Sequence, residues 1–588
     1  MRSDEPPEPF GDSGHYRNFG DEYPFGEQPT QPLTDSRGGA MPGGSWPSDA
    51  PTLVRSLANR ARSYQSAWGD DSAPDQRSKS RTHRRGLSRR SLLVGAGAGA
   101  VGIGALGAGV GFFLSNRAQG TAAGDVFSEQ AGQIAHLLRR AGFGPSPYDI
   151  AEYLNLGVAG ATDRLLNYGA VHDDLDQRLS AMTFNPSSAD DLIRWFVLRM
   201  IYSKRPLEEK MTLFWSGVLT SSFQKVTFKR GHDALMQQNN VLRQKGMGRF
   251  DDLIHAITVD PAMLLYLDGN QSTGHNPNEN YARELMELFT MGVGNYTQND
   301  VHQGALALTG WAVSDAGQAV YHPLRHFTGA VTYLGHTGTM GVDDVVRLVC
   351  AHPATGHHIA WRMWSFFVYE NPSDADLKPL VDAYYHSNHS IAAMMQAMLT
   401  VPAFYSDKAY RARVKSPLEF AAGALRGLGV DTDGAGARQI LSAMGQTPFD
   451  PPDVSGWDGD KVSAAWVSTQ TWMTRINFIN SLLAAASGLP AGQTSLRPSQ
   501  AGNVAHSPLQ QLITAQRIGS TKALVDYFVA ALVDNHLPND RRAILYDAVN
   551  VTAPQGPAFA LAKGVQVPAM AVRQMLYLLM STPEYQMN

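Results

Sequence analysis

The sequence has very little cysteine, since Cys350 is the single one among 588 residues. One cysteine excludes an intrachain disulfide and any zinc or iron–sulfur site built on several thiolates. The chain also has no excess of charge of one sign, because its formal net charge is −4. A charge so evenly balanced gives no reason to expect nucleic acid as a partner.

The common catalytic signatures are missing as well. The sequence contains no G-x-S-x-G nucleophile elbow, no H-E-x-x-H or H-x-H metal motif, no C-x-x-C-H haem site and no Walker phosphate loop. Cys350 ends an apolar helical stretch, where an inert buried thiol is more typical than a nucleophile. With 43% hydrophobic residues, the chain can nevertheless bury a large core.

An N-terminal tail precedes the periodic part of the chain. Residues 1–87 are rich in Pro, Gly, Ser and Asp and show little apolar periodicity, which predicts disorder. Residues 1–50 carry nine acidic and three basic residues, whereas residues 51–90 carry three acidic and ten basic ones. The basic half leads directly into an uncharged apolar run at residues 91–114.

Two interpretations of this apolar run compete. Gly97, Gly99 and Gly102 form a G-x-G-x-x-G, the fingerprint of a dinucleotide-binding fold. The strand–helix–strand alternation that such a fold requires does not follow, however, and the uncharged run continues well beyond the glycines.

The second interpretation uses the whole junction. Arg89 and Arg90, followed by a weakly hydrophobic Gly/Ala-rich run and small residues, resemble a twin-arginine export signal. Residues 88–120 are therefore predicted to be such a signal or, if residues 91–114 remain uncleaved, a membrane anchor. The expected partner is the twin-arginine translocase, and the expected location is across or on the cytoplasmic membrane. A chain without disulfides suits a protein that folds before export.

Beyond the apolar run, hydrophobic residues recur at helical spacing with Gly and Pro between the segments. The pattern predicts an all-α fold, with a large multi-helix domain and long irregular loops at residues 125–483. Residues 484–506 are predicted to form a flexible connector, and residues 507–588 a group of C-terminal helices packing on the main domain. The helical pattern is broken at residues 312–341, where short strands would fit, and at residues 443–466, a Pro- and Gly-rich loop.

The stretch at residues 276–311 combines the most signals. A helix is predicted to start at Asn276, and a second apolar helix to run from Asp300 to Trp311. The polar residues of the first helix form one row with two flanking residues: Glu279, Arg283 and Glu287, beside Asn280 and Glu284. Because their neighbours are apolar, part of the row is expected to lie in the interior, with an essential Arg283 held between carboxylates.

Two functions are open for this row and its surroundings. The row is either a structural ion-pair network or a catalytic or metal-binding carboxylate cluster. A divalent metal would use Glu284 and Glu287 with His326 or His352, drawn from a histidine-rich span. His352 precedes Pro353 and could instead cap a helix.

The loop at residues 443–466 offers a second candidate site. Asp453 and Trp457, with Trp466 and Trp472 further along the chain, could form a stacking surface for a sugar or peptide. Loops of this composition also pack over helical cores, and the sequence leaves both interpretations open.

Several of these stretches, in this order, are similar to one bacterial family, the domain of unknown function numbered eighteen hundred. The resemblance covers roughly residues 130–588. It implies an exported, largely helical protein for which no general reaction is established. The matching stretches are HLLRRAGFG (136–144), RPLEEKMTLFW (205–215), DPAMLLYLDG (260–269), NPNENYARELMELFTMGVGNYT (276–297), LTGW (308–311), AHPATGHHIAWRMWSFFV (351–368), VKSPLEF (414–420) and MGQTPFDPPDVSGW (444–457).

The chain also departs from the family pattern at polar positions. The family commonly has W-H-x-H-F, but here Ser216 and Val218 replace the two histidines. Gln298, Leu306 and Val331 likewise stand where Glu, Arg and Lys are frequent. These losses favour a non-catalytic or catalytically degraded member, without cofactor, that binds an envelope ligand or partner. The candidate ligand-binding residues are Glu279, Asn280, Arg283, Asp453 and Trp457. The alternative is a metal-assisted hydrolase that uses Glu284, Glu287, His326 and His352, with Arg283 orienting a carboxylate.

Overall fold

In the computed structural model of the chain, the described residues are 129–147, 150–185, 187–226, 232–489, 504–551 and 556–588. The predicted tail and the predicted signal or anchor, including Arg89 and Arg90, lie outside these ranges. Within them, no helix combines the length and the apolar character needed to cross a membrane.

Helices dominate the described residues, which confirms the predicted all-α class. The helices of the N-terminal half are α1 (Gln130–Arg140), α2 (Ile150–Leu166), α3 (Leu175–Ser180), α4 (Ala189–Tyr202), α5 (Pro206–Val218), α6 (Asp233–Lys245), α7 (Phe250–Thr258), α8 (Pro261–Tyr266), α9 (Glu279–Glu284) and α10 (Gln298–Ala307). They are followed by α11 (Val342–Ala351), α12 (Pro353–Phe367), α13 (Asp374–His386), α14 (Ile391–Thr400), α15 (Pro417–Leu428), α16 (Ala437–Ala443), α17 (Asp458–Lys461) and α18 (Thr469–Ala486). The C-terminal helices are α19 (Pro508–Ala515), α20 (Thr521–Val533), α21 (Asn539–Val549), α22 (Ala569–Met580) and α23 (Pro583–Gln586).

The described strands pair as short antiparallel hairpins. Strands β1 (Trp311–Val313) and β2 (Ala319–Tyr321) form one hairpin, and β3 (Val331–Tyr333) and β4 (His336–Gly338) form the next. Both fall in the stretch where the helical pattern breaks. Strands β5 (Ala558–Ala560) and β6 (Gln566–Pro568) form a third hairpin among the C-terminal helices.

One continuous core of buried apolar side chains joins helices from both ends of the described chain. Ile134 of α1, Leu198 of α4, Phe367 of α12, Leu425 of α15 and Phe528 of α20 all belong to it. The C-terminal helices therefore share a core with the preceding helices. Burial of this apolar surface is the main force that stabilises the fold.

The central helix differs from its prediction in two respects. Its N-cap is Asn278, whose side chain accepts a hydrogen bond from the Asn280 N–H, so the helix begins two residues later than expected. After Glu284 the chain continues as a π-helix over Leu285–Thr290. A π-helix carries an extra residue per turn and is frequent at functional sites.

The following helix also differs from its prediction. It starts at Gln298 behind a capping box formed by Thr297 and Asp300, and it ends at Ala307. Trp311 lies in strand β1 and not at the end of this helix. The sequence pattern alone did not show this change, because a short strand and a helix end share the same apolar composition.

Candidate functional site

The predicted polar row lies on the side of the central helix that is partly open to solvent. Nη2 of Arg283 is 3.2 Å from Oε2 of Glu279, and the two side chains are 37% and 33% exposed. Glu284 and Glu287 are also partly exposed and Asn280 is exposed, so the prediction that part of the row is interior was wrong. The apolar neighbours Tyr281 and Leu285 are buried on another side of the helix, and they do not cover the charges.

Polar contacts tie this row to the next helix, α10. Gln298 donates through Nε2 to Oε2 of Glu279 at 2.9 Å and accepts from Nη1 of Arg283 at 3.0 Å. Nδ1 of His302 lies 3.1 Å from Oε1 of Glu279. Asn280 is exposed beside them. The row thus forms a polar contact between two helices.

The carboxylates at the end of the row approach the irregular loop. Burial raises the pKa of Glu284, and the charges of Glu287 and Asp453 raise it further. Glu287 accepts a hydrogen bond from the Tyr296 hydroxyl at 2.7 Å. Asp453 accepts from the Ser455 hydroxyl and N–H, and these bonds lower its own pKa. Glu287 and Asp453 are therefore near enough to Glu284 for their charges to act on it.

The two candidate metal-binding histidines make contacts of their own. Nδ1 of His326 lies 3.0 Å from the Thr309 carbonyl oxygen, beside the first hairpin. His352 caps α12, with Nδ1 accepting from the Ala354 N–H at 3.2 Å, as the capping alternative predicted. In the part of the chain that the structure describes, no three His, Cys, Asp or Glu side chains gather as a metal site would require.

The tryptophans of the irregular loop are buried. Trp457, Trp466 and Trp472 pack against Val414 and Met587 in a small apolar cluster. The prediction of a stacking surface was wrong for these rings, and the packing alternative is correct. Burial of these large aromatic rings stabilises the fold. Because they pack on Val414, they hold the loop against that part of the chain.

A group of buried charged residues was missed by the sequence interpretation. Each carboxylate oxygen of Asp534 binds one guanidinium group. Nη1 of Arg139 lies 2.6 Å from Oδ1, and Nη2 of Arg411 lies 2.8 Å from Oδ2. Burial alone would raise the pKa of Asp534, but the two arginines outweigh burial and lower it to about 2. Arg139 and Asp534 are 395 residues apart in the sequence.

A second group is centred on α5. Glu209 accepts from Nε of Arg199 at 2.9 Å and binds Arg243 through two parallel bonds of 2.9 Å each. The neighbouring Lys210 pairs with the buried Glu419 of α15. Burial opposes the charge of Glu419, but Lys210 and the Ser416 N–H hold its pKa at about 2.

A third buried charge, on Arg140, is paired with carbonyl oxygens at a helix end and not with a carboxylate. Arg140 of α1 donates to the carbonyl oxygens of the last residues of α12, Phe366 and Phe367, and of the adjacent Val368, at 2.7–3.2 Å. These carbonyls point away from the helix and have no intrahelical partner. A signal for such residues was present in the sequence, because Arg139, Arg140 and Lys210 are charged residues inside otherwise apolar helical stretches.

A ligand-sized cleft lies beside the Asp534 group, with a volume of about 430 Å³. Small side chains on α1 and α20 leave this space open: Ala131, Gly132, Ala135, Ala530 and Ala531. Most of its other walls come from the segment leading into α2, from the start of α2 and from the turn after α20: Pro145, Ser146, Pro147, Ile150, Leu154, Asp534, Asn535 and His536. Single residues complete the lining, and they are Glu129 before α1, Gly427 of α15, Gln516 after α19 and Tyr527 of α20.

The turn at the end of this cleft is strained. Asp534 and the following Asn535 both have positive φ, at 56° and 60°. Consecutive left-handed residues other than glycine cost free energy and persist where the surroundings hold them. Here the bonds from Arg139 and Arg411 to Asp534 hold the turn. This cleft could not be predicted from the sequence, because its walls come from segments that are distant along the chain.

A family model described as "Protein of unknown function (DUF1800)" matches residues 136–587 of the chain. Neither a curated protein nor a solved structure matches it.

Proposed function

The chain belongs to the DUF1800 family, and we propose that it is an exported envelope protein that binds a small ligand in the cleft between α1, α2 and α20 without transforming it. The cleft volume of about 430 Å³ is the observation that carries this proposal. Small-molecule sites in proteins span roughly 300–1,000 Å³.

The lining of the cleft indicates the kind of ligand. Ala135, Ile150 and Leu154 line its sides, and Tyr527 adds an aromatic side chain to the lining. The carboxylate of Asp534 is already neutralised by two arginines, so it does not demand a cationic group from the ligand. These walls suit a compact ligand with a mainly apolar body.

The contacts of the candidate reactive residues support a binding function over a catalytic one. Glu279 holds Arg283 and Gln298, Glu287 holds Tyr296, and His352 caps a helix. Each of these groups already stabilises local structure. A catalytic acid or base must instead reach the proton that it transfers.

Export rests on the sequence alone. Arg89 and Arg90 precede an uncharged apolar run, as in a twin-arginine signal. The large helical core and the single cysteine suit a protein that is exported after folding.

The binding proposal can be tested with a neutral apolar dye, N-phenyl-1-naphthylamine, whose fluorescence rises in apolar surroundings. Ala530 is exposed and lines the cleft, so Ala530→Trp should fill the site and weaken dye binding at least about tenfold. Ala523→Trp is the matched control, because Ala523 is an exposed alanine of the same helix outside the cleft. Equal binding by the two variants would contradict the proposal.

The metal-assisted hydrolase remains a second candidate because of one observation. The raised pKa of Glu284, with Glu287 and Asp453 close by, is the kind of perturbation found in catalytic sites. Elemental analysis of the purified protein decides between the candidates. A stoichiometric metal that is lost on Glu287→Ala or His326→Ala would favour the hydrolase, whereas binding without catalysis predicts no such metal.

A further inference from the structure

A small internal cavity lies under the irregular loop, away from the proposed ligand cleft. Its volume is about 20 Å³. It is bounded by α5, α6 and the loop, and the polar residues that line it are Ser216, Ser221, Gln238, Asn239 and Gln446. The apolar residues of its lining are Phe196, Leu213, Leu219, Leu242, Pro448, Phe449 and Trp457.

Two buried polar atoms at this cavity lack a hydrogen-bond partner among the described residues. They are Nδ2 of Asn239, whose residue is 1% exposed, and Oγ of Ser221, whose residue is 6% exposed. A buried polar group without a partner is costly, so two such groups on residues that line one void require an explanation.

The hydrogen bond to Oδ1 fixes the orientation of the Asn239 amide. Oδ1 of Asn239 accepts from Nη2 of Arg243 at 2.8 Å, and the same guanidinium binds Glu209 through two bonds. Arg243 can only donate, so the oxygen of the amide must face it. The Nδ2 donor is therefore the free end of the amide, and Asn239 lines the cavity.

We infer that this cavity is a binding site for one water molecule, held by Asn239 and Ser221. A cavity needs roughly 10–15 Å³ of accessible space to hold a water, and buried waters sit where two to four polar groups converge. A water can accept from Asn239 Nδ2 and either accept from or donate to Ser221 Oγ. Both orphan atoms are satisfied by this one molecule.

A monatomic anion fits the site less well. It could accept from both donors, but the nearby positive charge of Arg243 is already matched by the bidentate bond to Glu209. The leucine walls would give the ion no further solvation, and an uncompensated buried ion is costly.

The water would connect two segments that support the loop. Asn239 belongs to α6, whereas Ser221 follows α5 in a segment that also bonds the loop: the Phe223 N–H donates to the Phe449 carbonyl oxygen at 2.9 Å. Thr220 Oγ1 donates to the Val454 carbonyl oxygen at 2.7 Å. Phe449 has a φ of 61°, a strained value for an aromatic residue. The bridge thus stabilises the segment that holds this strained loop.

High-resolution crystal structures of the full chain test the inference. Wild-type protein should show one density peak within hydrogen-bonding distance of both Asn239 Nδ2 and Ser221 Oγ, and Ser221→Ala should reduce its occupancy. Ser216→Ala is the matched control. Ser216 lines the same cavity, but its hydroxyl already donates to the Thr212 carbonyl oxygen, so the peak should remain.

Two outcomes would overturn the inference. One is an empty cavity in the wild-type map. The other is an anomalous bromide signal in the cavity after a bromide soak, which would identify an anion site. A stability readout accompanies the maps: Ser221→Ala should raise the unfolding equilibrium constant about tenfold more than Ser216→Ala does.

Discussion

The carboxylate of Asp534 illustrates how single residues stabilise this interior. It binds two arginines from distant segments, and all three side chains are almost fully buried. Such a group is sensitive to the loss of one member, because the remaining charges then stay buried without compensation. The half-exposed pair of Arg283 and Glu279 differs, since water can replace the lost partner.

We expect Asp534→Asn to lower the free energy of unfolding by on the order of 3–5 kcal/mol. Arg283→Ala serves as the comparison and should cost less than about 1 kcal/mol. Urea denaturation of both variants measures the difference. A large loss in Arg283→Ala would restore the interior ion-pair network that the sequence predicted for that row.

The buried carboxyl group of Asp260 leads to a prediction about how the stability of the fold depends on pH. It caps α8 and accepts from the Met263 N–H at 3.0 Å and from Nε2 of Gln238 at 2.8 Å, and its burial raises its pKa to about 7. In the unfolded chain the same group titrates near its ordinary value of 3.8. The folded state therefore binds the proton more tightly, and the stability that Asp260 contributes at low pH is lost as the pH rises from about 4 to 7.

Asp260→Asn keeps both accepted bonds but cannot titrate. We expect the variant to lose less stability than the wild type between pH 5 and pH 8, and to be at least about 1 kcal/mol more stable at pH 8. Urea denaturation at the two pH values checks this. Parallel losses in the two proteins would show that Asp260 is charged throughout that range.

At the scale of elements, a buried arginine can cap the end of a helix, where a glycine serves in other helices of the fold. Arg140 of α1 binds the C-terminal carbonyls of α12 and so fixes the angle between the two helices. The cation also faces the negative end of the helix dipole. In contrast, α15 ends conventionally at Gly429, whose φ of 62° is in the left-handed region.

We expect Arg140→Met to lower the free energy of unfolding by on the order of 3 kcal/mol, because it leaves buried carbonyls without donors. Arg140→Lys should recover only part of the loss, since one ammonium group cannot reproduce the planar fork of donors. Arg347→Met, at an exposed arginine of α11, is the control and should be close to neutral. Thermal denaturation compares the three variants, and equal melting temperatures would show that α12 does not depend on Arg140.

At the scale of the whole molecule, the predicted export signal and the folded part are expected to contribute separately, the first to location and the second to binding. Replacing Arg89 and Arg90 by lysines removes the predicted twin-arginine pair without altering any described residue. We expect the variant to accumulate in the cytoplasm, folded and with unchanged dye binding. Cell fractionation measures its location, and unaffected export would contradict the twin-arginine assignment.

Much of the helical architecture could be predicted from the sequence. Caps such as Ser188, Ser373 and Ser416, and Gly429 after α15, are local signals that specify where helices begin and end. The π-helix at Leu285–Thr290 could not be predicted, because it keeps the same apolar composition as an α-helix and differs only in its hydrogen-bond register.

The candidate site likewise combines features that could be predicted from the sequence with features that could not. The sequence identified Glu279 and Arg283 as neighbours on one face of a helix, since spacing along a helix is local information. Glu287 lies in the π-helix, whose different hydrogen-bond register breaks the spacing that the sequence predicted for it. Whether that face is buried depends on what packs over it. Only the structure showed that its partner is α10 and that solvent reaches the charges.

The sequence by itself determined the helical class, the family and the predicted export signal, because periodicity, capping and motif order are all encoded by residues close together in the chain. Only the tertiary structure decided which charges are buried, where the proposed ligand cleft lies and where a water could be held. The buried ion pairs, for example, join Arg139 to Asp534 across 395 residues of sequence and Lys210 to Glu419 across 209. Burial and electrostatic pairing act through space, and no local pattern specifies which distant residues will meet.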